Sequence, residues 1–107
     1  MPFELKYSPV ALQQFEDLKN SKALEKRFKA VRKSLRFLAN NPAHPSLNTH
    51  KFESLEGPDG AEIFEAYVEN NTPLAYGIFC CYYPPKTGTI TILLITSYPQ
   101  ALPIHFI

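Results

Sequence analysis

The chain has 107 residues, the length of one domain with a single core and no room for a second. Hydrophobic residues make up 45% and charged residues 20%, which excludes a disordered or collagen-like chain. No apolar run approaches the roughly 20 residues that cross a bilayer, and Met1 to Lys6 lacks the cationic-then-apolar pattern of a signal peptide.

The expected location is therefore the cytoplasm. The net charge of +1 conceals an asymmetry: residues 1–40 carry nine Lys and Arg against four Asp and Glu, residues 41–107 two against six. A polyanion would approach the first part.

Phe3 to Tyr7 alternates apolar and polar residues and reads as a short strand. Ser8-Pro9 starts a helix, because Ser caps free amides and Pro suits the first helical position. Ala11, Leu12, Phe15 and Leu18 line one side of it, and it stops near Asn20. A second helix runs from about Lys22 to Ala39, with Leu24, Phe28, Val31, Leu35 and Leu38 as its core stripe. Lys22, Lys26, Lys29, Lys33 and Arg36 follow the same steps two residues later, on roughly the opposite side. Such a stripe is either a solvated helix face or a phosphate-binding surface.

The remainder reads as strands. A Pro- and His-rich loop leads into a short run from about Lys51 to Leu55, ended by the turn Gly57-Pro58-Asp59-Gly60. Glu62 to Glu69 alternates, with Phe64, Ala66 and Val68 on one face and Glu65, Tyr67 and Glu69 on the other. The turn Asn70-Asn71-Thr72-Pro73 follows. Ala75 to Tyr83 and Thr89 to Ser97 form a hairpin across Pro84 to Gly88. The dense apolarity of Ile90 and Ile92 to Ile95 predicts a central strand covered on one face by the helices. The order β-α-α-β-β-β-β predicts an α+β domain, a helical hairpin on one face of a twisted antiparallel sheet. An apolar tail from about residue 100 to 107 needs somewhere to dock.

Cys80 and Cys81 are adjacent, so no disulfide framework exists, and they should point to opposite faces of a strand, one buried and one not. His44, His50 and His105 have no zinc-site spacing to one another or to the cysteines, and no metal or cofactor is expected. His50 is the best acid–base candidate of the acidic part, and Lys51 the sole cation between residues 41 and 85. The plainer reading of His50 is an ordinary loop or strand-edge histidine. Tyr67, Tyr76, Tyr82 and Tyr83 are either amphipathic packing or a source of stacking and proton donation.

Four segments together resemble the RelE/ParE superfamily of type II toxin–antitoxin toxins over nearly all of residues 3–98. They are Pro45 to Phe52, Phe64 to Pro73, Ala75 to Phe79 and Ile92 to Pro99, following the strand, the Ser-Pro helix and the basic helix. The resemblance implies a cognate antitoxin as partner and, for the RelE-like branch, cleavage of mRNA on the ribosome by a 2′-hydroxyl. That chemistry needs cations for the phosphate and an acid–base pair. On this reading His50 and Lys51 act with Tyr67 or Tyr76, while Lys22, Lys26, Lys29, Lys33 and Arg36 steer the RNA.

At outward strand positions where such toxins carry Lys and Arg, this chain has Glu65, Tyr67 and Gly77, with Tyr98 near the end. Carboxylates oppose phosphate binding. The alternative is therefore a non-catalytic module of the same fold, whose sheet face takes a basic protein through Glu62, Glu65 and Glu69. Gyrase inhibition of the ParE type is a third reading that no residue favours. The tail leaves a homodimer open.

Overall fold

A computed structural model describes residues 2–69 and 75–97 of the chain. The turn expected at Asn70 to Pro73, Tyr98, and the apolar tail lie outside the described residues.

The first strand, β1 (Glu4–Tyr7), leads directly into α1 (Pro9–Lys19). Ser8 makes that junction. Its hydroxyl oxygen accepts from the Ala11 amide at 3.0 Å, and its hydroxyl donates to the Leu93 carbonyl at 2.8 Å. One buried side chain thus caps the helix and ties it to the sheet. The second helix opens with a 3₁₀ turn (Lys22–Leu24) before the α-helix proper, α2 (Glu25–Asn40). Phe15 and Phe28 meet edge to face at 5.2 Å and join the two helices.

Four more strands follow: β2 (His50–Lys51), β3 (Phe64–Tyr67), β4 (Gly77–Tyr82) and β5 (Thr89–Thr96). The sheet order is β1-β5-β4-β3-β2. From β2 to β5 the strands pair antiparallel, but β1 runs parallel to β5, so the sheet is mixed rather than wholly antiparallel. The sequence pattern carries no strand direction. β1 and β5 are far apart in the chain, and three reversals after β2 bring β5 back beside β1 with the same sense.

β5 extends beyond β1, which leaves backbone groups without a strand partner on that side. The Gln14 side chain of α1 fills this gap, its oxygen accepting from the Ile95 amide at 2.7 Å. β5 also carries a bulge: Phe79 faces Leu94 and Cys80 faces Ile92, so Leu93 is the extra residue. The bulge explains the dense apolar run. Ile90, Ile92 and Ile95 pack toward the helices with Val31, Leu35 and Leu38, whereas Leu93 and Leu94 both turn to the other face.

That second face is also covered. β2 ends after two residues, and the chain from Phe52 to Ile63 folds back across the sheet instead of extending the strand. Phe52 and Ile63, flanked by Leu55 and Ala61, pack on Phe79, Cys81, Leu93 and Leu94. Tyr83 fastens this flap by donating its hydroxyl to Asp59 at 2.5 Å. The central strand therefore has apolar cover on both sides, where the sequence pattern pointed to one. For the same reason Cys80 and Cys81, which do face opposite ways, are both buried.

Candidate functional site

The flap leaves part of the second face open at the β2–β3 edge, and there two of the four predicted catalytic residues, His50 and Tyr67, converge with Glu65 and Gly77. Strand pairing sets His50 opposite Glu65 and Glu65 opposite Phe79. Phe79 belongs to the cluster away from the helices, so His50 and Glu65 lie on that face too.

His50 follows a sharp turn at Asn48, which adopts the left-handed conformation (φ 48°) that Asn tolerates better than most residues. The turn brings the Asn48 carbonyl back to His50 Nδ1 at 2.9 Å. A carbonyl only accepts, so Nδ1 carries a proton and donates. The other nitrogen, Nε2, lies 3.1 Å from Glu65 Oε1. A contact of that length between nitrogen and carboxyl oxygen holds one proton, on the imidazole or on the acid. The pair is thus a proton store with one face in solvent: the His50 side chain is 42% exposed and that of Glu65 13%.

Burial pushes the Glu65 carboxyl above the ordinary carboxylate range, while His50 pulls it partly back down. Gly77 makes room for this acid. A Cβ at residue 77 would stand 2.7 Å from Glu65 Oε2, so a side chain there would oblige the Glu65 carboxylate to move. Tyr67 completes the group, its ring 5.1 Å from that of His50 and tilted by 56°. Among the described residues, no Lys or Arg is ion-paired with Glu65.

The other two candidates of that set are elsewhere. Lys51 pairs with Phe64, which packs on the helix side, so its position faces away from His50. Its ammonium meets Glu62 at 3.1 Å and Glu53 at 3.8 Å. The hydrogen bond to Glu62, with the nearby negative charge, holds its pKa above the usual lysine value.

Tyr76 also packs against the helix-side core, because Val68 donates its amide to the Tyr76 carbonyl and both sit on that face. The Arg27 guanidinium lies 4.3 Å over the Tyr76 ring, and Arg27 Nε donates to Glu69 Oε1 at 2.9 Å. The Tyr76 amide donates to the same oxygen at 3.1 Å. This group clamps the start of α2 to the sheet.

Lys22, Lys26, Lys29, Lys33 and Arg36 are all exposed, as the helical spacing predicts, although Lys22 stands in the 3₁₀ turn. Arg32, which the spacing argument passed over, is exposed beside them. Among the described residues these six cations make one ion pair, a loose one from Lys29 to Glu25 at 3.5 Å.

His44 caps the 3₁₀ turn at Pro45–Leu47 and stacks on Phe37 at 4.0 Å. Desolvation pushes the Cys80 thiol up to about 12 and the Cys81 thiol to about 11, so neither forms a thiolate readily. Among the described residues no three His, Cys, Asp or Glu converge as a metal site would require. No helix among them is long and apolar enough to cross a membrane.

The residues missed in the sequence were Glu65 as the partner of His50, and Gly77 as the residue that admits it. Their contact runs diagonally between strands, and only the strand register reveals it.

No protein-family model matches the chain, and no curated protein matches it by sequence. A solved structure does. The YoeB dimer from Staphylococcus aureus has a chain that superposes with a TM-score of 0.61, covering 92% of this chain and 100% of its own, at 10% sequence identity. The α+β fold with two helices on a five-stranded sheet is thus the RelE/YoeB-like fold that the resemblance implied.

Proposed function

We propose that this chain is the toxin half of a toxin–antitoxin pair and that it acts on RNA through His50. The structural neighbour, YoeB, is a RelE-superfamily toxin, which supports the toxin reading. The observation that carries the catalytic part is the His50–Glu65 contact on a solvent-facing patch of sheet.

The reaction is transfer within an RNA strand. A 2′-hydroxyl oxygen bonds to the adjacent phosphorus, the bond from phosphorus to the 5′-oxygen breaks, one proton leaves the first oxygen and one reaches the second. With Nδ1 held by the Asn48 carbonyl, His50 moves one of those protons at Nε2 when that nitrogen turns from Glu65 to the RNA oxygen, and Glu65 takes up or returns the proton between turnovers. Tyr67 stands beside the same ring. Lys22, Lys26, Lys29, Lys33 and Arg36 draw the polyanion in. Lys51 and Tyr76 drop out of the chemistry, since each faces away from His50.

The protein partners are an antitoxin and, by analogy with the dimeric neighbour, a second copy of the chain. The cytoplasm is where such a target lies.

A second reading has its own support. Among the described residues Glu65 has no Lys or Arg ion-paired with it, and a carboxylate beside a phosphate raises the energy of binding. The fold would then serve as a non-catalytic module, docking a basic protein segment at Glu65, since Glu62 and Glu69 are already paired with Lys51 and Arg27. Incubating the protein with programmed ribosomes and following message length separates the two. Cleaved message supports the enzyme. Message left whole at every protein concentration overturns it and leaves the module.

A further inference from the structure

The chain from Pro42 to Thr49 holds only a 3₁₀ turn, Pro45–Leu47, yet it delivers the imidazole on which the site depends. One side chain ties its far end to its near end: the Thr49 hydroxyl donates to the Pro42 carbonyl at 2.9 Å, seven residues back. We propose that Thr49 is a positioning residue for His50. By closing this loop, its hydroxyl aims the Asn48 carbonyl at His50 Nδ1 and so leaves Nε2 as the nitrogen that handles the proton.

The link from Thr49 to the ring is short. The Asn48 carbonyl belongs to the peptide group that ends at the Thr49 nitrogen, and that group is planar. A bond that stops Thr49 from turning therefore stops the carbonyl from turning. On the other side, the Asn48 amide donates to the Pro45 carbonyl at 3.2 Å, with Asn48 in the left-handed region (φ 48°, ψ 43°). The peptide group is pinned from both ends, by the 3₁₀ turn before it and by the Thr49 hydroxyl after it.

Both anchors are themselves held. Leu47, next to Asn48, is fully buried in the helix-side core. His44 accepts from the Ser46 amide at 3.1 Å, and its ring stacks on Phe37 of α2. Pro42, which receives the Thr49 hydroxyl, follows the last cap of α2, where the Asn41 amide donates to the Phe37 carbonyl at 2.7 Å. Thr is branched at Cβ and has few χ1 positions to choose from, so its hydroxyl keeps its direction. The loop thus carries the rigidity of α2 to a residue at the edge of the sheet.

That rigidity has a chemical consequence. The hydrogen bond made by one imidazole nitrogen decides the task of the other. With the Asn48 carbonyl in place at 2.9 Å, Nδ1 keeps its proton, and Nε2 is the nitrogen that meets Glu65. The ring can swing about the Nδ1 bond but cannot turn over. The His50 side chain is 42% exposed, so packing alone does not hold it. Were the carbonyl to turn away, the ring could present either nitrogen to Glu65.

The proposal rests on the RNA reading above for what His50 does with its proton, and the placing of the ring is read without RNA. Proton–nitrogen NMR of the full chain, labelled with ¹⁵N, reports the Nδ1 proton at pH 6 and low temperature. A ring proton bonded to a carbonyl exchanges slowly with water and gives a line, whereas a free one does not. The parent and Thr49→Ser should show the line. Thr49→Val, which keeps the shape and loses the donor, should not. Circular dichroism checks that each variant folds, and Thr49→Ala takes the place of Thr49→Val if that variant does not.

Single-turnover cleavage of message on programmed ribosomes follows. Misplacing the ring in Thr49→Val should slow it about tenfold or more, and Thr49→Ser should stay near the parent rate. A folded Thr49→Val or Thr49→Ala that keeps the Nδ1 line overturns the proposal. So does Thr49→Ser losing the line as fully as Thr49→Val, or cleavage at the parent rate by a variant that has lost it. A parent that cuts no message but loses its Nδ1 line on Thr49→Val overturns the RNA reading and upholds Thr49 as the residue that places His50.

Discussion

Glu65 occupies the space that a side chain at residue 77 would take, its Oε2 lying 2.7 Å from where a Cβ on Gly77 would stand. The two residues are neither adjacent in sequence nor directly paired: Glu65 faces Phe79, and Gly77 faces Tyr67. The glycine thus acts on His50 at one remove, by letting Glu65 lie flat against the sheet and reach it. A position that looks like a lost cation in the sequence is a space requirement in the fold.

Gly77→Ala should therefore displace Glu65 and break its contact with His50. The clash falls on the far end of a flexible side chain that can swing aside, so the cost in stability should be small. NMR should show contacts between the Glu65 side-chain protons and the His50 ring in the parent and not in the variant. The same Glu65–His50 contacts in parent and variant would contradict this role of Gly77.

The pH dependence of stability carries the mark of Glu65. Burial raises its pKa in the fold above that in the unfolded chain, so the folded state holds the proton more tightly. Its contribution is fully present below the ordinary carboxylate value and is lost as pH rises through the raised folded value. Glu65→Gln has no proton to lose. The stability of the parent, measured by urea midpoint, should fall relative to that of Glu65→Gln as pH rises from 4 toward 7. Parallel curves would show that Glu65 is solvated as in the unfolded chain.

The two thiols give a test of the covered second face. With Cys80 pushed up to about 12 and Cys81 to about 11, both stay neutral at pH 8. Iodoacetamide should leave the native protein unmodified and add two groups once it is unfolded in guanidinium, as mass spectrometry would count. Rapid modification of one thiol in the native state would mean that the flap from Phe52 to Ile63 does not cover Cys81.

Ser8→Ala removes the α1 cap and leaves the Leu93 carbonyl without its hydroxyl partner. Loss of the cap alone costs about 0.5–2 kcal/mol, and an unsatisfied buried acceptor about 1–3 kcal/mol. Denaturant melts should show a loss toward the upper end of these figures. A loss within a few tenths of a kcal/mol would mean that water replaces the hydroxyl.

Regular patterns in the sequence were readable, and contacts set by register were not. The apolar stripe of Leu24 to Leu38 gave the buried side of α2, and the alternation of Phe64 to Tyr67 gave the two faces of β3. Ser8-Pro9 gave the start of α1. The flap was hidden because Phe52, Leu55, Ala61 and Ile63 follow neither a helical nor a strand period. The bulge at Leu93 breaks alternation where the run is densest, so a strand covered on both faces looked like one covered on one. Tyr76 and Tyr67 are equivalent in sequence terms, and the pairing of Val68 with Tyr76 puts them on opposite faces. Residue type alone points to His50; in the sequence Glu65 looks like an obstacle to phosphate, and only the strand register makes it the partner of the ring.

The claim on which the functional account depends is that His50 moves a proton in cutting RNA. The direct measurement is the single-turnover rate of message cleavage on programmed ribosomes, for the parent chain and for His50→Ala. Loss of a positioned acid or base predicts a fall of about 10²–10⁴-fold, with the substituted protein still folded by circular dichroism. Cleavage at the parent rate by His50→Ala would contradict the assignment.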